Sequence, residues 1–539
     1  MTTNVDILSS PQIPTAPRHP PASLEADAPR DPLLWRLLPA AVAAAIGAVY
    51  VVVEPRTVDL AASVFRARLF GDAGFTIWNN TWYSGHPTWS YSVLVPPLAW
   101  LLSPALLAAV STVVSAALFE PLARRHFGAR SARWGALWFG AAAATPMLSG
   151  RVTFSAGVAG ALAALLALQR GRAAIACVLA VAAGLLSPIA GLFLALGALA
   201  YVLTVDRHAG LLVTAAALAP PAVVSVLFPD GGDGPFAFSA FWPVPLFALA
   251  FYAALPRRER TLRVAALLYA AAAVAAYVIP TPVGGNTVRL GALAGGPLLL
   301  MARRRLGAPV IALLVAFGVW QWSAAVRDIA HSAGDRSTQA SFYRPLNDFL
   351  ARASAAGGAP FRVEIPFTFS HWETAEVSPR FPLVRGWLRP DDVEYNHLFY
   401  GGRLDASTYR AWLSDHAVRF VAVPRAKPDY SARGELRLIA GGLPYLRSVW
   451  RSRDWRVYEV AGPRSLGVER LGVDDAVVRL ASPGSLVARV RWSPYWSADG
   501  ACVEKAGEWT RLSASRGGSY RLHQSFSPGR VLDHGRRCS

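Results

Sequence analysis

The sequence predicts an α-helical integral membrane protein with about eleven transmembrane helices. To these it adds a C-terminal region made of an α/β unit and a small β-sandwich. Three observations predict this class. Residues 33–328 hold long apolar runs and few charges, whereas residues 329–539 read as ordinary soluble protein. In the first part the Arg residues fall between the apolar runs. From residue 338 helix-period and strand-period patterns alternate, and after Gly462-Pro463 only short alternating runs remain.

The 539 residues are 53% hydrophobic and carry a net charge of +19. That charge does not indicate nucleic-acid binding. Lys occurs only at Lys427 and Lys505, and the Arg residues form no single stripe beside stacking aromatics. Cys177 lies in an apolar run and reads as inert packing. Cys502 and Cys538 both lie in the C-terminal region, and two readings stay open: a disulfide in an exported domain, or two free thiols.

Residues 1–32 are Pro-rich and lack core-forming residues, which predicts a disordered cytoplasmic tail. The apolar run that follows is too long for a signal peptide and no small-residue cleavage site closes it, so it reads as a retained anchor. Spans are expected near 34–53, 103–123, 131–149, 152–169, 173–187, 189–205, 209–228, 241–256, 263–280, 286–302 and 307–327. Ser187-Pro188 interrupts the 173–205 stretch, which also reads as one helix plus a re-entrant piece. With the N-terminus inside, fourteen Arg lie on inner loops and helix ends against five on outer ones. An odd number of spans then places the loop 54–100 and the C-terminal region outside. The expected units are 1–32, a transmembrane domain 33–328, an α/β domain 329–465 and a β-sandwich-like domain 466–539.

The loop 54–100 is the most polar stretch between the early apolar runs. Asp59, Ser63 and Arg66 stand at i, i+4 and i+7, on one face of a short helix. Leu60 and Val64 fall on another side, suited to lie on the membrane. A carboxylate held there beside polar partners suits proton abstraction from a hydroxyl; a merely solvated acid is the other reading. In WNNTWYSGHPTWSYS, residues 78–92, Trp82, Tyr83 and His86 suit a sugar-facing surface, and equally an aromatic membrane-interface belt. Counting outward from Ala302 at about 1.5 Å per residue places Arg289 roughly 20 Å from the inner end of its helix. There it is suited to a lipid phosphate from the outer leaflet or to snorkelling. Asn286 lies beside it, and Arg151, in the turn SGRVTF, is a second basic candidate. His371, Trp372 and Glu373 are polar-aromatic candidates in the C-terminal region. No P-loop, G-x-S-x-G or H-E-x-x-H is present, and Cys/His spacing gives no zinc site.

Val58-Asp59-Leu60, then Trp82-Tyr83-Ser84-Gly85-His86, then Pro96-Pro97-Leu98 resemble the first outer loop of the GT-C superfamily. These are multi-spanning glycosyltransferases that use polyprenyl-phosphate sugars. The chain also resembles large uncharacterised actinobacterial multi-spanning membrane proteins, in stretches such as HWETAEVSP and YRAWLSDHAVRFVAVP. The resemblance implies an inverting transfer at the outer face of the plasma membrane, from a polyprenyl-phosphate sugar to a cell-envelope glycan or glycolipid acceptor. Asp59 would be the base. Only that acid is carried over from the family; depth, charge and composition make Arg289, Asn286, Arg151, His86, Trp82, Tyr83 and Arg66 the candidate substrate-binding residues. Leu60 stands where many members carry a second acid, so no metal and no cofactor are expected. A lipid-linked-glycan transporter or flippase, and a non-catalytic envelope-assembly protein, are the alternative functions.

Overall fold

Helix ends in the first half follow from caps and prolines. The computed structural model describes residues 32–230, 232–303, 305–532, 535 and 537–538. The expected tail at 1–32 lies, apart from Pro32, outside the described residues. Helix α1 is Leu33–Val53, α2 Val58–Ala73, α3 Val95–Leu102 and α4 Pro104–Phe127. The strands β1 (Trp78–Asn79) and β2 (His86–Pro87) form a hairpin between α2 and α3. Ser103 caps α4 by accepting from Leu106 N, with Pro104 at the first helical position.

Then follow α5 (Ala129–Ala142), α6 (Ala144–Leu148), α7 (Val152–Gln169), α8 (Ala173–Leu186), α9 (Pro188–Thr204) and α10 (Arg207–Leu227). Ser187-Pro188 ends α8 and caps α9, which settles that stretch as two helices. The set closes with α11 (Phe238–Phe241), α12 (Pro243–Ala254), α13 (Arg260–Val278), α14 (Val288–Ala302) and α15 (Ala308–Ser332).

Each of the eleven expected segments is thus helical, with 131–149 divided between α5 and α6. Among the described residues six helices are long and apolar enough to cross a membrane: α1, α4, α7, α10, α13 and α15. The 14 residues of α8 rise only about 21 Å at 1.5 Å per residue, against a hydrocarbon core of about 30 Å. The expected count of eleven full spans therefore exceeds the number of helices that meet the length. The outer faces are apolar as well: Val52, Val178, Val226, Val278 and Val319 are all exposed. Helices apolar all round with such faces suit lipid rather than water.

The C-terminal half begins with α16 (Ala340–Ala355) and β3 (Arg362–Glu364), then α17 (Glu373–Glu376), α18 (Arg389–Tyr395), α19 (Ala406–Asp415) and β4 (Val418–Pro424). After α20 (Arg433–Ala440) come β5 (Leu446–Arg451) and β6 (Trp455–Val460). The sheet order is β3-β4-β6-β5, with β3 and β4 parallel and the other pairs antiparallel.

Strands β7 (Arg470–Leu471), β8 (Ala476–Leu480), β9 (Gly484–Arg491) and β10 (Trp496–Ala498) follow, then β11 (Cys502–Ala506), β12 (Trp509–Ala514), β13 (Gly518–Gln524) and β14 (Arg537–Cys538). They make two antiparallel sheets, β10-β13-β8-β7 and β14-β11-β12-β9. Val478, Leu522 and Trp496 of one and Val490, Val503 and Leu512 of the other share a core. Cys502 and Cys538, opposite each other on β11 and β14, are joined as a disulfide.

One hydrophobic core runs across the two halves. Tyr50, Leu60, Phe65 and Leu69 belong to the same cluster as Tyr343, Leu350, Trp372 and Val457. This overturns the expectation that α2 lies on the membrane through Leu60. Leu60 is buried and Val64 is half-buried against the same cluster. The C-terminal half supplies the cover. Trp387 Nε1 donates to Val58 O (3.1 Å), Arg68 Nη1 to Ala375 O (2.9 Å), and Arg56 pairs with Glu376 and lies over the Trp372 ring.

Candidate functional site

Asp59 stands in the first turn of α2. The turn that carries Arg151 is pressed against the same helix start. Gly150 has φ +77°, and a Cβ there would meet Leu60 N at 2.5 Å and Thr57 Oγ1 at 2.7 Å. Only glycine fits both the left-handed conformation and that approach. Arg151 is thereby aimed at α2, and its Nε donates to Asp59 Oδ2 at 3.0 Å. Its Nη2 lies 3.9 Å from Asp328 Oδ2, on the last turns of α15. Asp59 remains about one-third exposed, so its other oxygen is reachable. Gly150→Ala is expected to push the turn away and break the Arg151–Asp59 pairing, so that any turnover falls at least tenfold. Melting should drop with it, and an unchanged activity and melting point would show that the turn has slack.

Arg289, in the first turn of α14, completes the cluster. It interacts with Arg151, Tyr91 and Asp59, and its guanidinium lies 5.3 Å from the centre of the Phe154 ring. Phe154 also lines an apolar cavity of about 290 Å³ between the helices, together with Tyr269, Leu290, Gly291, Phe317 and Trp320. Two acids and two arginines from four separate segments therefore meet beside an apolar cleft. Such a cluster can take a proton on a carboxylate and hold an anion on the guanidinium groups. Asn286 is half-buried one turn before Arg289, and its amide donates to Pro282 O. No contact ties it to the cluster.

Asp328 was not among the sequence candidates. Its signal was present: an acid at the end of the last apolar helix, in AAVRDIAHS. The same stretch also reads as the boundary between the last apolar helix and the soluble part.

The aromatic hairpin is placed differently from expectation. Trp82 and Tyr83 are fully buried and His86 nearly so. Trp82 stacks on Phe65 at 4.0 Å, and its Nε1 donates to Ser378 Oγ at 2.9 Å. Tyr83 Oη donates to Leu388 O and accepts from Leu388 N, while Arg491 Nε donates to Tyr83 O. The turn is strained, with positive φ at Tyr83, Ser84 and Gly85 in succession. These bonds from the C-terminal half hold it. No face of Trp82, Tyr83 or His86 is left for a sugar, because residues some 300 positions later cover them. His371, Trp372 and Glu373 are buried as well, with Arg56 lying over the Trp372 ring.

Arg66 does not share the Asp59 cluster. It is buried over the Tyr91 ring at 4.3 Å. Burial lowers its pKa, with Tyr91, Asp391, Tyr83 and Asp230 opposing. Deeper in the C-terminal half, Arg385 is held between the rings of Phe367 and Phe399 and pairs with Asp392. Burial raises the neighbouring Glu435 carboxyl to about 7, against the pull of Arg385. That network is enclosed.

No family model matches the sequence, and no curated protein matches it. Among solved structures, the chain resembles ArnT from Cupriavidus metallidurans in the apo state at 14% identity. The match covers 77% of this chain and 98% of that one, with a TM-score of 0.37. At that similarity the likeness carries no functional inference, which rests on the residues of this chain.

Proposed function

We propose that this protein is an inverting glycosyltransferase that takes a sugar from a polyprenyl-phosphate donor at the outer face of the plasma membrane. The observation that carries the reading is the meeting of Asp59, Arg151, Asp328 and Arg289 beside an apolar cleft. A polyprenyl phosphate has the matching halves, an apolar tail and an anionic head. The resemblance of the 54–100 loop to the GT-C superfamily supports the same reading. Two features support the orientation: the excess of Arg on the loops assigned inside, and the Cys502–Cys538 disulfide, which suits an oxidising compartment.

In this mechanism the acceptor hydroxyl oxygen bonds to the anomeric carbon as the bond from that carbon to the phosphate oxygen breaks. The hydroxyl proton passes to Asp59. The polyprenyl phosphate leaves with its negative charge facing Arg289 and Arg151. Arg151 is shared between Asp59 and Asp328, so Asp328 would keep it oriented when Asp59 turns to the acceptor. The acceptor would be a cell-envelope glycan or glycolipid.

The test is the full chain in lipid vesicles with a panel of polyprenyl-phosphate sugars and envelope glycan acceptors. The expected result is acceptor-dependent release of polyprenyl phosphate from one donor. Labelled lipid-linked sugar crossing the vesicle with its phosphate bond intact would overturn the reading in favour of a transporter.

A further inference from the structure

A second cluster of chemistry-bearing groups lies apart from the Asp59 residues. It joins His86 of the hairpin, Asp230 after α10, and Asp391 of α18. One ligand-type atom from each lies within 4.8 Å of the others. All three side chains are almost wholly buried. His86 Nδ1 is 3.7 Å from Asp230 Oδ2 and has no hydrogen-bond partner, and neither has Asp391 Oδ2. Asp230 is oriented by others: Tyr395 Oη donates to Oδ1 at 2.6 Å and Ser90 Oγ to Oδ2 at 3.3 Å. Arg66 is near, but its Nη1 and Nη2 also lack partners, so it supplies charge without a bond. Two carboxyl groups and an imidazole thus face one another in a buried place, with the Arg66 guanidinium as their basic neighbour.

We propose that His86, Asp230 and Asp391 hold a divalent metal ion of the zinc or manganese class, which ties the hairpin and the loop after α10 to the C-terminal half. One imidazole with two carboxylates suits these ions better than calcium or magnesium, which take oxygen ligands. Donors at about 2.0–2.2 Å from a tetrahedral zinc ion stand about 3.3–3.6 Å apart, so the His86–Asp230 pair at 3.7 Å already nearly fits and the remaining separations close by up to about 1 Å. Water completes the coordination, within reach of the unpartnered Arg66 nitrogens.

The ring of His86 sets a condition. Asn79 Oδ1 accepts from Thr81 N and Thr81 Oγ1, which turns its Nδ2 toward His86 Nε2 at 3.2 Å. In that arrangement Nε2 accepts, and the neutral ring carries its proton on Nδ1. Ligation through Nδ1 moves the proton to Nε2, so the Asn79 amide must turn over and give up its Thr81 bonds. Asn79→Asp removes this conflict. One carboxylate oxygen keeps Thr81 and the other accepts from Nε2–H, and a carboxylate on the far ring nitrogen strengthens a His ligand.

The full chain, purified in detergent without chelator, is expected to carry about one zinc or manganese per chain by elemental mass spectrometry. EDTA should remove it and lower the melting temperature by about 5 °C or more, restored by adding the metal back. Asp391→Asn should lower occupancy at least tenfold, whereas Asp59→Asn should leave it unchanged. Asn79→Asp should hold the metal at higher EDTA concentration than the wild type. Metal below a tenth of an equivalent with no EDTA effect would overturn the proposal, and so would full occupancy in folded Asp391→Asn. A loss of occupancy in Asp59→Asn would also overturn it, by placing the ion at the other cluster. None of these outcomes depends on glycosyl transfer.

Discussion

Replacing Asp59 with Asn is expected to cut sugar transfer by about 10²–10⁴-fold, the usual contribution of a positioned general base, while the protein folds as before. Asn has the shape of Asp but cannot take the proton of the attacking hydroxyl. The fold should tolerate the change because the Asp59–Arg151 pair is partly exposed on both sides, and such pairs contribute at most about 1 kcal/mol. Arg151 also keeps Asp328 as a neighbour. The measurement is initial transfer rate at saturating donor, with melting temperature alongside. A variant that melts normally and transfers at the wild-type rate would remove Asp59 from the chemistry. Arg289→Met, by contrast, should weaken use of the phosphate donor without removing the base.

The second large effect is expected at Trp82. Trp82→Ala should cost about 3–5 kcal/mol, as for other buried aromatic truncations, a large part of the roughly 5–15 kcal/mol that holds a typical protein folded. The ring fills the space between Phe65 and His86, and a Cβ on Gly386 would meet it at 2.7 Å. Removing it also leaves Ser378 Oγ and Thr374 O without their indole donor. The folded yield should fall sharply, and limited proteolysis should begin to cut within 54–100. The contrasting result is specific: a Trp82→Ala protein that melts normally but needs more substrate would restore the sugar-stacking role that burial denies it.

The helices were readable because apolar runs punctuated by Ser187-Pro188, Ser103-Pro104 and Asp206 leave few alternatives for where a helix starts. That Arg289 stands near the start of its helix was readable too, since position along a helix follows from counting residues. The covering of the hairpin was not. Trp82, Tyr83 and His86 have the composition of a binding surface, and nothing local tells an aromatic that faces solvent from one buried by a distant segment. Asp328 escaped for a related reason. Its partner Arg151 is 177 positions away, and a single acid at a helix end has many uses. Local pattern sets the elements, whereas the site depends on pairings between segments far apart in the chain.

The core shared by the two halves also has a consequence for biosynthesis. Tyr83 is held by Leu388 and Arg491, 305 and 408 residues further on. At about 5–20 residues per second, the ribosome takes roughly 20–80 s to add the later of these after Tyr83 emerges. Through that interval the hairpin has its aromatic side chains and Phe65 but none of the C-terminal partners that hold its turn and complete the burial. A nascent chain stopped before Leu388 keeps its apolar helices yet displays a sticky loop, an exposed target for quality-control proteases.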